Sequence, residues 1–113
     1  MPLLKILTNQ SVADEAKVLA DATEVVSTML GKSASYVQII LEMEQKMSFA
    51  GSLEPCAYME LHSLGLDESQ TESMSASLCA FVEGTLGVAA NRTYIQFQGP
   101  ARHLWGWNSK TFA

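Results

Sequence analysis

Apolar positions along this chain follow two different periods, and the two alternate in the same order twice. A short apolar segment over about Leu3–Thr8 predicts a first β-strand. Apolar residues then recur every three or four positions, which predicts a helix that ends before Gly31, and a β-rich segment at 36–41 predicts a second strand. The predicted apolar face of this helix consists of Val12, Ala16, Leu19, Thr23, Val26 and Leu30.

The second half of the chain repeats this order of strand, helix and strand. A proline-led segment at 55–61 predicts a strand, a helix that ends before Gly87 follows, and the last strand is predicted at 94–97. The predicted apolar face of the second helix consists of Met74, Leu78, Phe81, Val82 and Leu86.

Polar residues in front of each apolar face predict where the helices begin. Ser11 is placed to cap the first helix, with Asp14 and Glu15 in its first turn. The sequence Ser69-Gln70-Thr71-Glu72 has the form of a capping box for the second helix. Each helix is therefore predicted to begin with a hydroxyl cap.

This tandem βαβ arrangement belongs to the α/β (α+β) class of folds. A helical crossover between two strands implies that they pair in parallel with a right-handed connection. The simplest assembly is one four-stranded sheet with two helices on one face, in a single domain, 1–113, with pseudo-repeats at about 2–54 and 55–113. Because the strand sequences are apolar on both faces, the uncovered face predicts an oligomer.

Composition narrows the class of partner. Apolar residues make up 48% of the chain and charged residues 17%, which favours an apolar surface covered by another subunit. The net charge is −5 and the basic residues are scattered, so nucleic acid is not an expected partner. No segment approaches the roughly 20 apolar residues of a membrane span. The first apolar segment is too short for a signal peptide and is interrupted by Lys5, which predicts a cytoplasmic protein.

Cysteine and histidine usage predicts neither a metal nor a cofactor. The chain holds two cysteines, Cys56 and Cys79, and two histidines, His62 and His103, without the spacing of a metal site. The two cysteines could form one bridge, but two reduced and mostly buried thiols are the favoured interpretation.

Six segments, in this order, resemble the macrophage migration inhibitory factor (MIF) family of the tautomerase superfamily over nearly the whole chain. They are Met1-Pro2 before a strand, Gly31-Lys32 with Tyr36, Phe49-Ala50-Gly51-Ser52 with Glu54-Pro55-Cys56-Ala57, Leu61-His62-Ser63-Leu64-Gly65, Asn91-Arg92-Thr93-Tyr94-Ile95, and Gly106-Trp107-Asn108-Ser109-Lys110-Thr111-Phe112-Ala113. The resemblance implies a homotrimer whose sheets form a central barrel, with active sites at the subunit boundaries. It also implies cofactor-independent enol–keto tautomerisation of small aromatic 2-oxo acids such as phenylpyruvate.

The resemblance makes Pro2 the catalytic residue. We expect Met1 to be removed, which would leave the secondary amine of Pro2 at the start of the first strand. An ordinary α-amino group is mostly protonated at neutral pH, whereas burial and a nearby ammonium both lower its pKa towards the range of a general base. Lys32 would be that ammonium, and it would also bind the carboxylate of the substrate.

The remaining site residues follow from the resemblance as well. The backbone N–H of Leu64 would bind the carboxylate or carbonyl of the substrate, and Tyr94 would cross to line the pocket of the neighbouring subunit. Tyr36, Trp107 and Phe112 would also line the pocket, although aromatic residues near a terminus often only seal an interface.

Three positions depart from the family pattern. Met59 stands where the vertebrate cytokine has the second cysteine of a C-x-x-C motif that begins at Cys56, so thiol–disulfide exchange is not supported. Gln96 replaces a pocket asparagine, and Trp105 replaces a small aliphatic residue at the pocket wall. The two pocket changes affect the choice of substrate.

Two other functions stay open. The first is a cytokine-like protein that binds a protein receptor and carries a vestigial or secondary tautomerase pocket; members of the family are exported without a signal peptide, so secretion by that route stays open too. The second is a plain trimeric scaffold. Dehalogenation, hydration and decarboxylation rank lower, because they recruit arginines near the proline and the chain has only Arg92 and Arg102.

Overall fold

The computed structural model describes residues 1–113 and contains the predicted strand–helix–strand unit twice. The first unit consists of β1 (Leu3–Thr8), α1 (Glu15–Leu30) and β2 (Gln38–Glu42), and the second of β3 (Ala57–His62), α2 (Thr71–Leu86) and β4 (Thr93–Gln98). A short hairpin that the apolar pattern does not predict, β5 (Gly106–Trp107) and β6 (Lys110–Thr111), follows near the C-terminus.

The four long strands form one sheet in the order β2-β1-β3-β4. β1 pairs in parallel with β2, and β3 pairs in parallel with β4, as the helical crossovers predict. The two units meet through antiparallel pairing of β1 with β3. The predicted fold class, a mixed α and β protein with a four-stranded sheet and two helices, is confirmed.

The hydrophobic core lies between one face of the sheet and the two helices. Leu4, Ile6 and Thr8 alternate along β1 and are fully buried. The one hydroxyl in this row is satisfied, because Thr8 Oγ1 donates to the carbonyl oxygen of Cys56 at 2.8 Å. Every residue of the apolar face predicted for α2 is buried. No helix of the structure combines the length and the apolarity that a membrane span requires.

The predicted apolar face of α1 is correct only in part: Val26 is buried and Val12 and Leu30 pack against the core, but the middle of the face is shifted by about one residue. The buried side chains are Val18, Ala22 and Val26, whereas Ala16 and Leu19 are exposed. The prediction counted its period from Val12, which lies in the loop before the helix and therefore does not share the helical phase.

The predicted helix caps are also wrong, although the predicted stops are confirmed. Asp14, not Ser11, caps α1, because its Oδ1 accepts the backbone N–H of Lys17 at 3.0 Å. In front of α2, Ser69 lies in a short 3-10 turn, Glu68–Gln70, and its hydroxyl donates to Asp67 at 2.6 Å, so no capping box forms. Gly31 and Gly87 end the helices at φ values of 63° and 69°, where a side chain would be strained.

Two strand boundaries differ from the predicted ones. Ala34–Tyr36 forms a 3-10 turn, with Ser33 accepting the N–H of Ser35, and this turn removes Tyr36 from the second strand. β3 begins at Ala57, two residues later than predicted. The preceding loop is held by Arg92, which donates to four carbonyl oxygens of residues 49–55.

The face of the sheet away from the helices is mostly polar, which corrects the prediction that both faces are apolar. Lys5 and Glu42 form an ion pair across β1 and β2 at 3.9 Å. The Tyr58 hydroxyl lies 3.2 Å from Glu60 Oε2 and 3.3 Å from Gln96 Oε1. We refer to this surface as the open sheet face. Its side chains can contact water without a cover, so it does not by itself require an oligomer.

Exchanging the two candidate caps of α1 tests the helix start. We expect Asp14→Ala to lower the free energy of unfolding by about 1 kcal/mol, because the N–H of Lys17 loses its acceptor. Ser11→Ala should change it by far less, since no contact of the Ser11 side chain supports the helix. Urea denaturation of the two variants beside the unchanged chain measures this difference, and equal losses would contradict the assignment of Asp14.

Candidate active site

The start of the chain lines a cavity of about 360 Å³ between the turn after α1 and the C-terminal segment. We refer to it as the N-terminal cavity. The cavity brings together five of the predicted site residues: Pro2, Tyr36, Trp105, Trp107 and Phe112. No role in the site was predicted for the other lining residues, which are Met1, Ser35, Val37, Gln38 and Gly106.

Strand pairing holds the chain start in this position. The carbonyl oxygen of Pro2 accepts the N–H of Gln38 at 3.0 Å, which extends the parallel pairing of β1 and β2 by one bond. Pro2 is fully buried, and the α-amino group of Met1 donates to the carbonyl oxygen of Tyr36 at 3.1 Å. The terminal amine is therefore bound in the fold and is not a frayed end.

Aromatic side chains form the wall of the N-terminal cavity opposite the chain start. The rings of Trp107 and Phe112 stack with their centroids 5.9 Å apart, and Tyr36 meets Trp107 edge-on at 6.1 Å. The β5–β6 hairpin presents Trp107, and the N–H of Phe112 donates to the carbonyl oxygen of Trp105 at 3.2 Å. Such a wall suits the flat ring of an aromatic ligand.

Positive charge lies beside the amine. Burial lowers the pKa of the Met1 amino group below its ordinary value of 8.0, and the neighbouring charge of Lys32 lowers it further. The pKa of Lys32 is itself lowered from 10.5, first by burial and then by the charge of Arg102. The surroundings therefore disfavour the charged form of both the Met1 amine and Lys32.

Lys32 and Leu64 contact each other next to the chain start. Lys32 Nζ donates to the carbonyl oxygen of Leu64 at 2.6 Å. The N–H of Leu64, which is predicted to bind the substrate, has no hydrogen-bond partner within the protomer. A free backbone donor beside an ammonium is suited to binding an anion.

Tyr94 and Gln96 lie outside the N-terminal cavity of their own protomer. Both project from β4, and the ring of Tyr94 packs on Phe49 with the centroids 4.8 Å apart. Tyr94 helps to line a separate, mostly apolar cavity of about 290 Å³ beside that ring. Gln96 is occupied by hydrogen bonds on the open sheet face. Within one protomer the predicted site is therefore incomplete.

Arg102 is the residue near the site that sequence reasoning missed. Its Nε donates to the carbonyl oxygen of Phe112 at 2.7 Å, and its own carbonyl oxygen accepts the N–H of Trp105 at 3.4 Å. Its position three residues before Trp105 is the one signal that could have placed it here. No cluster of three or more His, Cys, Asp or Glu side chains in the structure could hold a metal ion.

Removing the charge of Lys32 should raise the pKa of the terminal amine. In Lys32→Gln the electrostatic contribution disappears and the contribution of burial remains, so the pKa stays below 8.0 but rises towards it. The pH dependence of the ¹⁵N chemical shift of the Met1 amine measures this change in a sample whose intact mass shows that Met1 is retained. Lys17→Gln, on the exposed side of α1, is the control and should leave the amine unchanged. An unchanged pKa in Lys32→Gln would contradict the coupling.

A family model described as macrophage migration inhibitory factor (MIF) matches residues 1–113. The macrophage migration inhibitory factor of Xenopus tropicalis is 36% identical over 117 residues, with 100% of both chains covered. The solved structure of a homologue from Prochlorococcus marinus is 37% identical, with a TM-score of 0.93 and coverage of 98% of this chain and 99% of that chain. The factor from Trichinella spiralis is 32% identical, with a TM-score of 0.92 and coverage of 97% and 99%. The chain belongs to the macrophage migration inhibitory factor family.

Proposed function

We propose that the protein is a cofactor-independent tautomerase that interconverts the enol and keto forms of small aromatic 2-oxo acids of the phenylpyruvate type. One observation carries the proposal: the start of the chain lies in an aromatic-lined cavity where burial and Lys32 both lower the pKa of the Met1 amine, one residue away from the nitrogen of Pro2. Once Met1 is removed, the amine of Pro2 becomes the terminal group and acts as the general base.

The proposed reaction moves one proton between oxygen and carbon. The neutral amine of Pro2 takes the proton of the enol hydroxyl, and the resulting ammonium returns a proton to C3, which leaves the keto acid and the neutral amine. Lys32 binds the carboxylate of the substrate, and the N–H of Leu64 donates to its carboxylate or carbonyl oxygen. The aromatic ring of the substrate lies against Trp105, Trp107 and Phe112, which line the cavity.

The complete site is proposed to form in a homotrimer whose sheets enclose a central barrel. Tyr94 is 68% exposed in the protomer, although it is a large and mostly apolar side chain. Crossing to a neighbouring N-terminal cavity would bury its ring and bring Gln96 near the same pocket. The polar open sheet face would then line the interior of the barrel, where water can solvate it.

The decisive test compares two N-termini. The first sample is the chain whose intact mass shows that Met1 is absent, and the second carries one additional alanine before Pro2. We expect the second sample to lose about 10²–10⁴-fold in kcat/KM for phenylpyruvate tautomerisation, the usual contribution of a general base, because its proline nitrogen is an amide. Enol disappearance followed by ultraviolet absorbance measures the rate. No activity in the processed sample would contradict the proposal and favour the receptor-binding alternative.

The pH dependence of the reaction identifies the two groups. The base must be neutral, and we expect burial and Lys32 to lower the pKa of the Pro2 amine as they lower that of the Met1 amine, so kcat/KM should rise with pH through this lowered pKa. Lys32 must be charged, so the rate should fall again at a pKa below 10.5. In Lys32→Gln the rate should drop at all pH values, the falling limb should disappear and the rising limb should move to higher pH. Limbs that do not move in this variant would contradict the role of Lys32.

A further inference from the structure

Two positively charged side chains near the N-terminal cavity, Lys32 and Arg102, have no negative partner, and Arg102 is hydrogen-bonded to a residue of the cavity wall. The chain carries twelve acidic residues against seven basic ones, yet neither Lys32 nor Arg102 forms an ion pair. The only hydrogen bond of the Lys32 ammonium is to the carbonyl oxygen of Leu64, and the only hydrogen bond of the Arg102 guanidinium is to the carbonyl oxygen of Phe112. In an acidic protein, cations that no carboxylate of the chain neutralises are available to bind an anionic ligand.

One hydrogen bond joins the Arg102 side chain to the cavity wall, and a backbone turn joins Arg102 to Trp105. Its Nε is bound to the carbonyl oxygen of Phe112, and its carbonyl oxygen is bound to the N–H of Trp105; both partners line the cavity. The two Nη atoms of the guanidinium make no hydrogen bond in the protomer. They are therefore free to bind a carboxylate in a bidentate manner.

The charges of the pair act on each other. Arg102 contributes to the lowered pKa of Lys32, so its guanidinium lies within electrostatic reach of the ammonium proposed to bind the substrate carboxylate. Two adjacent positive charges repel each other, and a single carboxylate compensates only one of them. A ligand with two negative charges compensates both.

We infer that Arg102 is a specificity-determining residue, which together with Lys32 makes the N-terminal cavity select aromatic acids that carry two anionic groups. Lys32 binds one carboxylate and the Nη atoms of Arg102 bind the second, while the ring lies against Trp107 and Phe112. The inference rests on the proposed function only in that the N-terminal cavity is taken as the substrate site.

Equilibrium binding tests the inference without any turnover. The only two tryptophans of the chain, Trp105 and Trp107, both line the cavity, so quenching of tryptophan fluorescence reports its occupation. The probes are phenylacetate, with one carboxylate, and 3- and 4-carboxyphenylacetate, with two. We expect at least one of the dicarboxylates to bind about tenfold more tightly than phenylacetate, which corresponds to one additional charged hydrogen-bonded contact. Raising the salt concentration should reduce this ratio.

Three variants separate a binding role from a structural one. Arg102→Gln should reduce the ratio to about one while it leaves phenylacetate binding nearly unchanged, whereas Arg102→Lys, which keeps the charge but loses the planar pair of Nη donors, should retain only part of the preference. Lys110→Gln is the matched control, because Lys110 is another cation near the cavity, 5.7 Å from the centroid of the Trp107 ring. It should leave the ratio unchanged.

Each outcome bears on one conclusion. A dicarboxylate preference that disappears only in Arg102→Gln supports the inference even if the processed protein proves inactive on phenylpyruvate. Equal binding of one- and two-carboxylate probes overturns it even if the tautomerase activity is established. An equal loss of the preference in Lys110→Gln also overturns it, because the effect would then arise from the general positive potential. Weaker binding of all three probes in both Arg102 variants overturns it as well, because the cavity wall would then be displaced.

Discussion

The central position of the first strand is the constraint on which the site depends. β1 pairs with β2 on one side and with β3 on the other, so it joins the two repeats of the fold. Because this strand begins at Leu3, only two residues precede it, and the terminal amine must lie close to the end of the sheet. The amine is placed at the end of the sheet, where the turn before β2 and the C-terminal segment enclose it.

The position of the amine brings two physical effects together at one point. Enclosure by Tyr36 and the aromatic wall removes water, which disfavours a charged amine, and Lys32 adds a positive charge next to it. The same surroundings lower the pKa of Lys32, with Arg102 as the second cause. A region built in this way stabilises negative charge in a ligand, which connects the proposed tautomerase chemistry with the inferred preference for dianionic acids.

Polarity divides the two faces of the sheet. One face is buried under the helices and holds the core, whereas the open sheet face carries an ion pair and a hydrogen-bonded group around Tyr58. The proposed trimer would therefore depend on individual apolar side chains and not on this face as a whole. The residues that would gain most from a partner are large exposed side chains such as Tyr94, Leu104 and Leu53, which lie outside the core.

The sequence by itself determined the order of the elements, because hydrophobic periodicity and stop glycines are local signals. It placed β1 and the buried face of α2 correctly, and the parallel pairing followed from the helical crossovers. Only the tertiary structure decided the buried face of α1 and the polar open sheet face, because each depends on which side of the element packs against another element. It also decided the cap of α1, because the backbone before the helix sets which side chain reaches the first free N–H groups. The tertiary structure decided too that the charge of Arg102 acts on Lys32, since the two are distant in the chain and only the fold of the C-terminal segment brings Arg102 within electrostatic reach.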